Sequence, residues 1–425
     1  MSKKVELKRE LGLFEVTLSG VGIILGAGIY ALIGKASGLA GNSVWLSFAT
    51  ASLIAVFTGL SYAELSSMFP RASAEYEYTS HAFGKKLAFI IGWLIILSGV
   101  IGASTVALGF GGYFNAFFKV PPVISGIMLI IALSFLLFYG IKETARFAIV
   151  ATLIETAGLI LVIFIGLPYL GKVDYFEMPQ GLTGIFQASA LVFFAYTGFE
   201  SIVKLSEETR TPEKTIPMGL MLAITTSIVL YVLVAVSAVS VMGWEKLAGS
   251  EAPFADLAFA ALGKEAFILL AGIALFATAN TVLMMLLGAS RIIYGMADSY
   301  TLPNILAKVH PSRRTPWIAI FVSMAISIVF VFAGDITFVA NVDNFTLFVT
   351  FFVINASLIL LRYTEPQTQR PFRVPFTIGR FPVLPLFGIL FCVFMLFQLE
   401  WKVILVGIVL VVLGGLLSFV DMRNA

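Results

Sequence analysis

The sequence predicts an all-α integral membrane protein of twelve transmembrane helices, and three observations carry that expectation. First, 59% of the 425 residues are apolar and only 12% are charged, with a mean hydropathy of +1.00. A soluble domain carries about 25% charge, so this chain lacks the residues to coat a water-facing surface. Second, the deficit falls in blocks. Ala36–Ala63, Leu87–Phe118, Val120–Ile141, Thr215–Trp244, Ala266–Ser290 and Val403–Val420 hold no Asp, Glu, Lys or Arg. A helix needs about 20 residues to cross the hydrocarbon, and these runs have that length. Third, the basic residues are distributed unevenly between the connections.

Windows of membrane length give spans near 14–36, 43–68, 87–116, 122–140, 147–170, 183–203, 217–242, 264–292, 317–333, 344–361, 381–398 and 403–420. Outer-membrane strands are alternating segments of about 10 residues, and these continuous runs exclude them. If the N-terminus is cytoplasmic, 21 of the 27 Lys and Arg residues lie inside and six outside. Short loops retain positive charge on the cytoplasmic side, so both termini are expected inside a cytoplasmic membrane. The net charge of +3 follows from that topology and the lipid bilayer, without a nucleic-acid partner. Met1–Glu10 is polar and does not read as a cleaved secretory signal. One cysteine, Cys392, and two histidines, His81 and His310, offer neither an internal disulfide nor a His-based metal site. No cofactor or metal is expected.

Two spans contain residues that oppose a helix. The first reads Gly20-Val-Gly22-Ile-Ile-Leu-Gly26-Ala-Gly28-Ile-Tyr30; glycine costs about 1 kcal/mol against alanine in a helix interior. The sixth reads Phe193-Phe-Ala-Tyr-Thr-Gly198-Phe-Glu200. Close helix packing through small residues is one account of the first. The pair favours another. Gly26 and Gly198 are 172 residues apart, and the next two pairs of spans begin at offsets of 174 and 177. Interrupted helices at matching positions in two halves point to a transporter's central site. The freed amides of one break suit a carboxylate, and the freed carbonyls of the other suit an ammonium. Together they form a receptor for a zwitterion.

At these residues the chain resembles the amino acid–polyamine–organocation superfamily, in particular its cationic and L-type amino acid transporter branches and their prokaryotic relatives. The resemblance rests on Leu11–Tyr30, Tyr62–Tyr76, Phe194–Glu200 leading to Glu207–Pro217, and Gly288–Met296. It implies one transmembrane domain over 1–425. That domain comprises a first repeat at 14–170, an inverted second repeat at 183–361 and two accessory helices at 381–420. It also implies an amino acid substrate and alternating access by rocking of spans one, two, six and seven. By motif, the substrate carboxylate would meet amides near Gly26, Ala27 and Gly28. Its amino group would meet carbonyls near Ile23, Phe194, Ala195 and Thr197, with Phe199 and Ile101 as pocket walls. Thr278, Thr281 and Ser290 are hydroxyls of unassigned direction on span eight.

Arg71, Glu75 and Glu200 are gate candidates, with ordinary interfacial charge as the alternative for the first two. Glu15 and Glu64 sit near inner span ends, where snorkelling can hydrate them. Glu155 is the ionisable residue deep within the uncharged run Phe147–Gly171. An acid at mid-helix costs roughly 2.5–3.5 kcal/mol on insertion scales, so its retention points to interior placement and a role in coupling a proton. The resemblance implies that several proton-coupled relatives carry a lysine in this part of span five; here a carboxylate replaces it, which puts the lysine-based mechanism in doubt, and a permanently protonated or hydrogen-bonded structural glutamate is the alternative.

Other classes fit less well. Gly28-Ile-Tyr-Ala-Leu-Ile-Gly34-Lys35-Ala36 departs from a phosphate-binding loop in spacing and in its final residue. No intramembrane His, Asp and Glu cluster suggests an enzyme, and no ring of charge or pore repeat suggests a channel. Gly99, Gly102 and Ala103 leave room for a large side chain, favouring neutral, hydrophobic amino acids. An exchanger and a carrier of cationic amino acids or polyamines are the alternatives.

Overall fold

The computed structural model describes residues 11–70, 74–298 and 301–421. The first apolar run forms α1 (Leu13–Ile24) and α2 (Gly28–Ala40), parted at Leu25, Gly26 and Ala27. There follow α3 (Val44–Met68), α4 (Ala74–Phe83), α5 (Lys85–Phe118), α6 (Pro122–Tyr139) and α7 (Ile141–Gly166). The second interrupted run comprises α8 (Gly181–Val192), a 3-10 turn at Phe193–Tyr196, and a 3-10 helix at Phe199–Glu208. Next come α9 (Pro212–Met242), the short α10 (Trp244–Ala248) and α11 (Pro253–Leu262), then α12 (Lys264–Asp298). The chain ends with α13 (Trp317–Val331), α14 (Ile336–Thr364), α15 (Val383–Leu396) and α16 (Trp401–Asp421). A two-stranded turn pairs Thr377–Ile378 with Phe381–Pro382.

Among the described residues, nine helical stretches are long and apolar enough to cross a membrane. Their outer faces carry large exposed apolar side chains, including Phe135, Leu153, Phe164, Val229, Phe276 and Leu413. Such a surface suits lipid, where no hydrophobic penalty attends exposure. The interior holds polar side chains instead: Glu64, Thr105, Asp343, Asn344 and Asn355 are all fully buried.

Two groups of helices emerge from the packing. In one, α3 lies along α9, α1 against α9, and α2 against α8. In the other, α5 packs on α12, α14 and α6. Leu11 ties the start of α1 to the end of the second interruption, with Leu11 N donating to Glu208 O and Arg210 N to Leu11 O, at 3.0 and 3.1 Å.

Two expectations change. The span expected at 344–361 begins eight residues earlier, at Ile336, because polar Asn341, Asp343 and Asn344 are helical. Asp343, expected just ahead of the span, is interior and not in a loop. Glu64 is not hydrated by snorkelling. It is buried and accepts from Arg362 Nε and Nη2 at 2.7 and 2.5 Å and from Val374 N at 2.8 Å. Arg370 Nε lies 3.2 Å away. Glu15 is exposed and caps α1 by accepting from Gly12 N at 2.9 Å.

Candidate functional site

The two interruptions touch each other. A Cβ added to Gly28 would stand 2.7 Å from Ala195 Cα. One added to Gly198 would meet Ile23 O at 3.1 Å. Only glycine permits this approach of two backbones, and Gly198, at φ +107°, also takes a conformation that other residues avoid.

Each break carries side chains that satisfy its freed backbone groups. In the first, Thr281 of α12 accepts from Ala27 N at 2.9 Å, and Gly26 N turns back to Ile24 O at 2.6 Å. Gly28 N has no hydrogen-bond partner among the described residues. In the second, Glu200 accepts from Gly198 N at 2.9 Å, and Thr197 donates its hydroxyl proton to Phe194 O at 2.8 Å. Tyr231 of α9 joins the two breaks. Its hydroxyl lies 2.6 Å from Ile24 O and 2.9 Å from Ala195 O, both within donating reach. Backbone that leaves the helix at membrane depth persists only where such partners exist.

Of the hydroxyls on α12, Thr281 is therefore the one aimed at the break. Thr278 donates to Ala274 O and Ser290 to Leu287 O within their own helix. Ile23, Gly26, Thr197 and Gly198 are partly accessible, whereas Ala27, Gly28, Phe194 and Ala195 are buried. Ile101 is fully buried on α5. Phe199 packs edge-on to Tyr62 at 5.9 Å and against Phe351 at 5.2 Å, so it belongs to an aromatic cluster with α3 and α14. One side of the breaks is closed. Tyr113 donates to Tyr30 O at 3.0 Å, Tyr30 meets Phe254 edge-on at 5.0 Å, and all three rings are fully buried.

Glu155 lies close to the first break. Tyr30 of α2 donates to its carbonyl at 2.8 Å, passing through the gap left by Gly158. Its carboxyl is buried, neighbours Asn280 of α12, and forms no hydrogen bond. Of the gate candidates, Arg71 lies outside the described residues. Glu75 sits 3.8 Å from Lys204 Nζ and accepts from Tyr62 at 3.4 Å. Glu200 is spent on the turn at Gly198 and not on a loop partner. No group of three or more His, Cys, Asp or Glu able to hold a metal occurs among the described residues.

The sequence reading missed Tyr231 and Asp343. Tyr231 stands in an uncharged run as one more apolar-looking residue. Asp343 stood one residue outside the expected span, although the run Asn341-Val-Asp-Asn344 is a signal of interior polarity once it is known to be helical.

Comparison with known proteins identifies the family. A model of the amino acid permease family matches residues 11–420. The chain belongs to that family. It is 31% identical to the branched-chain amino acid permease of Bacillus subtilis, over 100% of this chain and 95% of the relative. It is equally similar, at 31% over the same shares, to the methylthioribose transporter of the same organism. The vacuolar cationic amino acid transporter 4 of Arabidopsis thaliana is 29% identical over 85% of this chain and 64% of its own length. As a permease, the chain is a multi-pass membrane protein.

Proposed function

We propose that the chain is a secondary transporter that carries a zwitterionic amino acid through the crossing of its two helix breaks. The observation that carries the reading is that crossing itself: Gly28 against Ala195 and Gly198 against Ile23 put the amides of one break beside the carbonyls of the other. Gly28 N is free to receive a carboxylate at the start of α2, where the helix dipole favours negative charge. The carbonyls of Ile23, Phe194, Ala195 and Thr197 surround the place for the ammonium. Thr281 and Tyr231 keep Ala27 N, Ile24 O and Ala195 O satisfied while the site is empty. Substrate then exchanges part of this set of hydrogen bonds for another and gives Gly28 N the acceptor it lacks in the empty site.

The architecture is read as twelve spans in two inverted repeats, 14–170 and 183–361, followed by two helices within 381–420. The shorter helices α13 and α15 serve as spans, and the broken pair α1 and α2 counts as one. The helices α1 to α3, α8 and α9 form the moving bundle, and α5, α12 and α14 belong to the scaffold. With both termini in the cytoplasm of a cell membrane, the sealed side at Tyr30, Tyr113 and Phe254 faces outward. The partly accessible residues Ile23, Gly26, Thr197 and Gly198 then mark a cavity reached from inside. Glu155 is the proposed proton carrier: it is buried without a cation to pair it among the described residues and neighbours Asn280, adjacent in sequence to Thr281 at the break.

The names of the relatives span branched-chain and cationic amino acids and a thio-sugar, so substrate is decided by experiment. The purified chain in liposomes is preloaded with leucine, lysine or methylthioribose and assayed for counterflow of the labelled compound. Leucine exchange above lysine is expected. Exchange of methylthioribose with none for any amino acid overturns the zwitterion reading.

A further inference from the structure

Asp343 on α14 is fully buried, and neither of its carboxylate oxygens makes a hydrogen bond. It fills the notch left by Gly102 on α5: a Cβ there would meet Asp343 Oδ2 at 3.1 Å and Met285 Sδ of α12 at 2.9 Å. Ser98 and Thr346 are its polar neighbours, but Thr346 donates to the Asp343 carbonyl at 2.8 Å. The charged group acting on it is Glu200 of the second break, a second acid. Of the charged side chains on the helices packed around it, Glu64 pairs with Arg362 and Glu75 with Lys204, while Arg291 of α12 lies beyond Met285 toward the end of its helix. Arg362 itself, on the same helix, is held by Glu64.

We propose that Asp343 is a proton-binding site separate from Glu155, at the junction of α5, α12 and α14. A bare carboxylate there would have two hydroxyls, of Ser98 and Thr346, but no cation to set against a thioether and another acid, and burying an unpaired charge is among the costliest arrangements a protein can adopt. The packed junction therefore holds the acid as the neutral carboxyl. Releasing the proton from a carboxyl oxygen to water requires water to reach it, which means that α14 must part from α5 and α12. Binding and release of the proton are thus tied to opening of this junction, on the face where α14 meets the second break. Asn344, the next residue, strengthens the link by donating to Ala190 O and Leu191 O at 2.7 and 3.1 Å, the carbonyls just ahead of that break. Small cations need several oxygen ligands at once, and this junction, lined by Gly102 and Met285, offers a single carboxyl and the hydroxyls of Ser98 and Thr346, the latter bonded to the Asp343 carbonyl.

Two measurements test it, and only the second rests on the transport reading. Infrared spectra of the purified full chain in lipid, taken through neutral pH, are compared for the wild type, Asp343→Asn and Glu155→Gln. The wild type is expected to show a protonated-carboxyl band with two components, and each variant to lose a different one. The asparagine variant is nearly the shape of the neutral acid, and its thermal unfolding checks that it folds. If Asp343→Asn retains the full band, Asp343 is ionised and the proposal falls. In liposome exchange, Asp343→Asn is expected to turn over about tenfold more slowly with a KM within about twofold of wild type, and with a flatter pH profile. Wild-type turnover and an unchanged profile would remove the proton from the cycle. Failure of the wild type to exchange any amino acid would instead reject the transport reading, leaving the infrared result on Asp343 standing.

Discussion

Replacing the two glycines of the first break by alanine separates the packing of the site from its chemistry. At Gly28 the new Cβ would stand 2.7 Å from Ala195 Cα, 3.1 Å from its Cβ and 3.2 Å from its backbone nitrogen. Two of those atoms are main chain and cannot swing aside, so the second break has to move. Overpacking of this kind costs typically about 1–3 kcal/mol, and the melting temperature is expected to fall by several degrees. At Gly26 the Cβ would crowd the Thr281 side chain, at 3.2 Å for Oγ1 and 3.4 Å for Cγ2, and touch Ile23 O at an ordinary 3.9 Å. A rotation of that side chain by a few tenths of an ångström relieves the contact, so stability should change by less than about 1 kcal/mol. Substrate binding should nevertheless weaken about tenfold, or roughly 1.4 kcal/mol, because the methyl group crowds the carboxylate position. The assay uses the buried Cys392, the chain's one cysteine, as its reporter. A thiol-reactive dye reads its exposure on heating, with and without substrate. The reasoning fails if both variants melt alike, or if Gly26→Ala binds substrate as tightly as the wild type.

Other outcomes follow from the same geometry. Tyr231→Phe removes the hydroxyl within reach of Ile24 O and Ala195 O and should destabilise the empty protein by about 0.5–1.5 kcal/mol. Because an ammonium can take over a freed carbonyl, substrate should raise its melting temperature by more than it raises the wild type's; an equal rise would contradict the bridging role. Glu155→Gln keeps the shape of a protonated acid, so exchange should persist while uptake driven by an inward proton gradient is lost. A gradient response equal to the wild type's excludes Glu155 as the carrier. Cysteines placed at the exposed positions Ser312 and Gln367 should label only from the cytoplasmic side, and one at Lys246 only from outside. Labelling of Ser312 from outside would invert the proposed topology.

The spans were legible because a membrane helix is a local property: about 20 apolar residues in a row need no knowledge of their neighbours. The breaks were legible for the same reason, since Gly20, Gly22, Gly26 and Gly28 oppose helix wherever they lie. What escaped the sequence was pairing across the fold. Glu64 looked like an interfacial acid, and its partners Arg362 and Arg370 stand about 300 positions later in an apparently ordinary loop. Thr278, Thr281 and Ser290 were indistinguishable as sequence. Only the rotation of α12 against the first break selects Thr281. The start of α14 was placed too late because Asn341 and Asp343 depress hydropathy as a loop does. Polar residues facing a bundle's interior and polar residues facing water give the same local signal.

The conserved energetic problem of such a site is that it needs unwound backbone in a medium that punishes it. This chain meets it with a few side-chain groups drawn from different helices: the Thr281 hydroxyl from α12, the Tyr231 hydroxyl from α9 and the Glu200 carboxylate from the break itself. Their origins matter for movement. Tyr231 and Glu200 travel with the proposed bundle, so they hold the two breaks together through a rocking motion. Thr281 belongs to the proposed scaffold, and its bond to Ala27 N crosses the boundary between the two bodies. That bond has to break, or be replaced, whenever the bundle moves against α12. A substrate carboxylate at Gly28 N sits beside the same amide and can offer it an acceptor in place of Thr281. Binding would then loosen a side-chain bond that pins the first break to the scaffold, and so couple occupancy of the site to motion of the bundle.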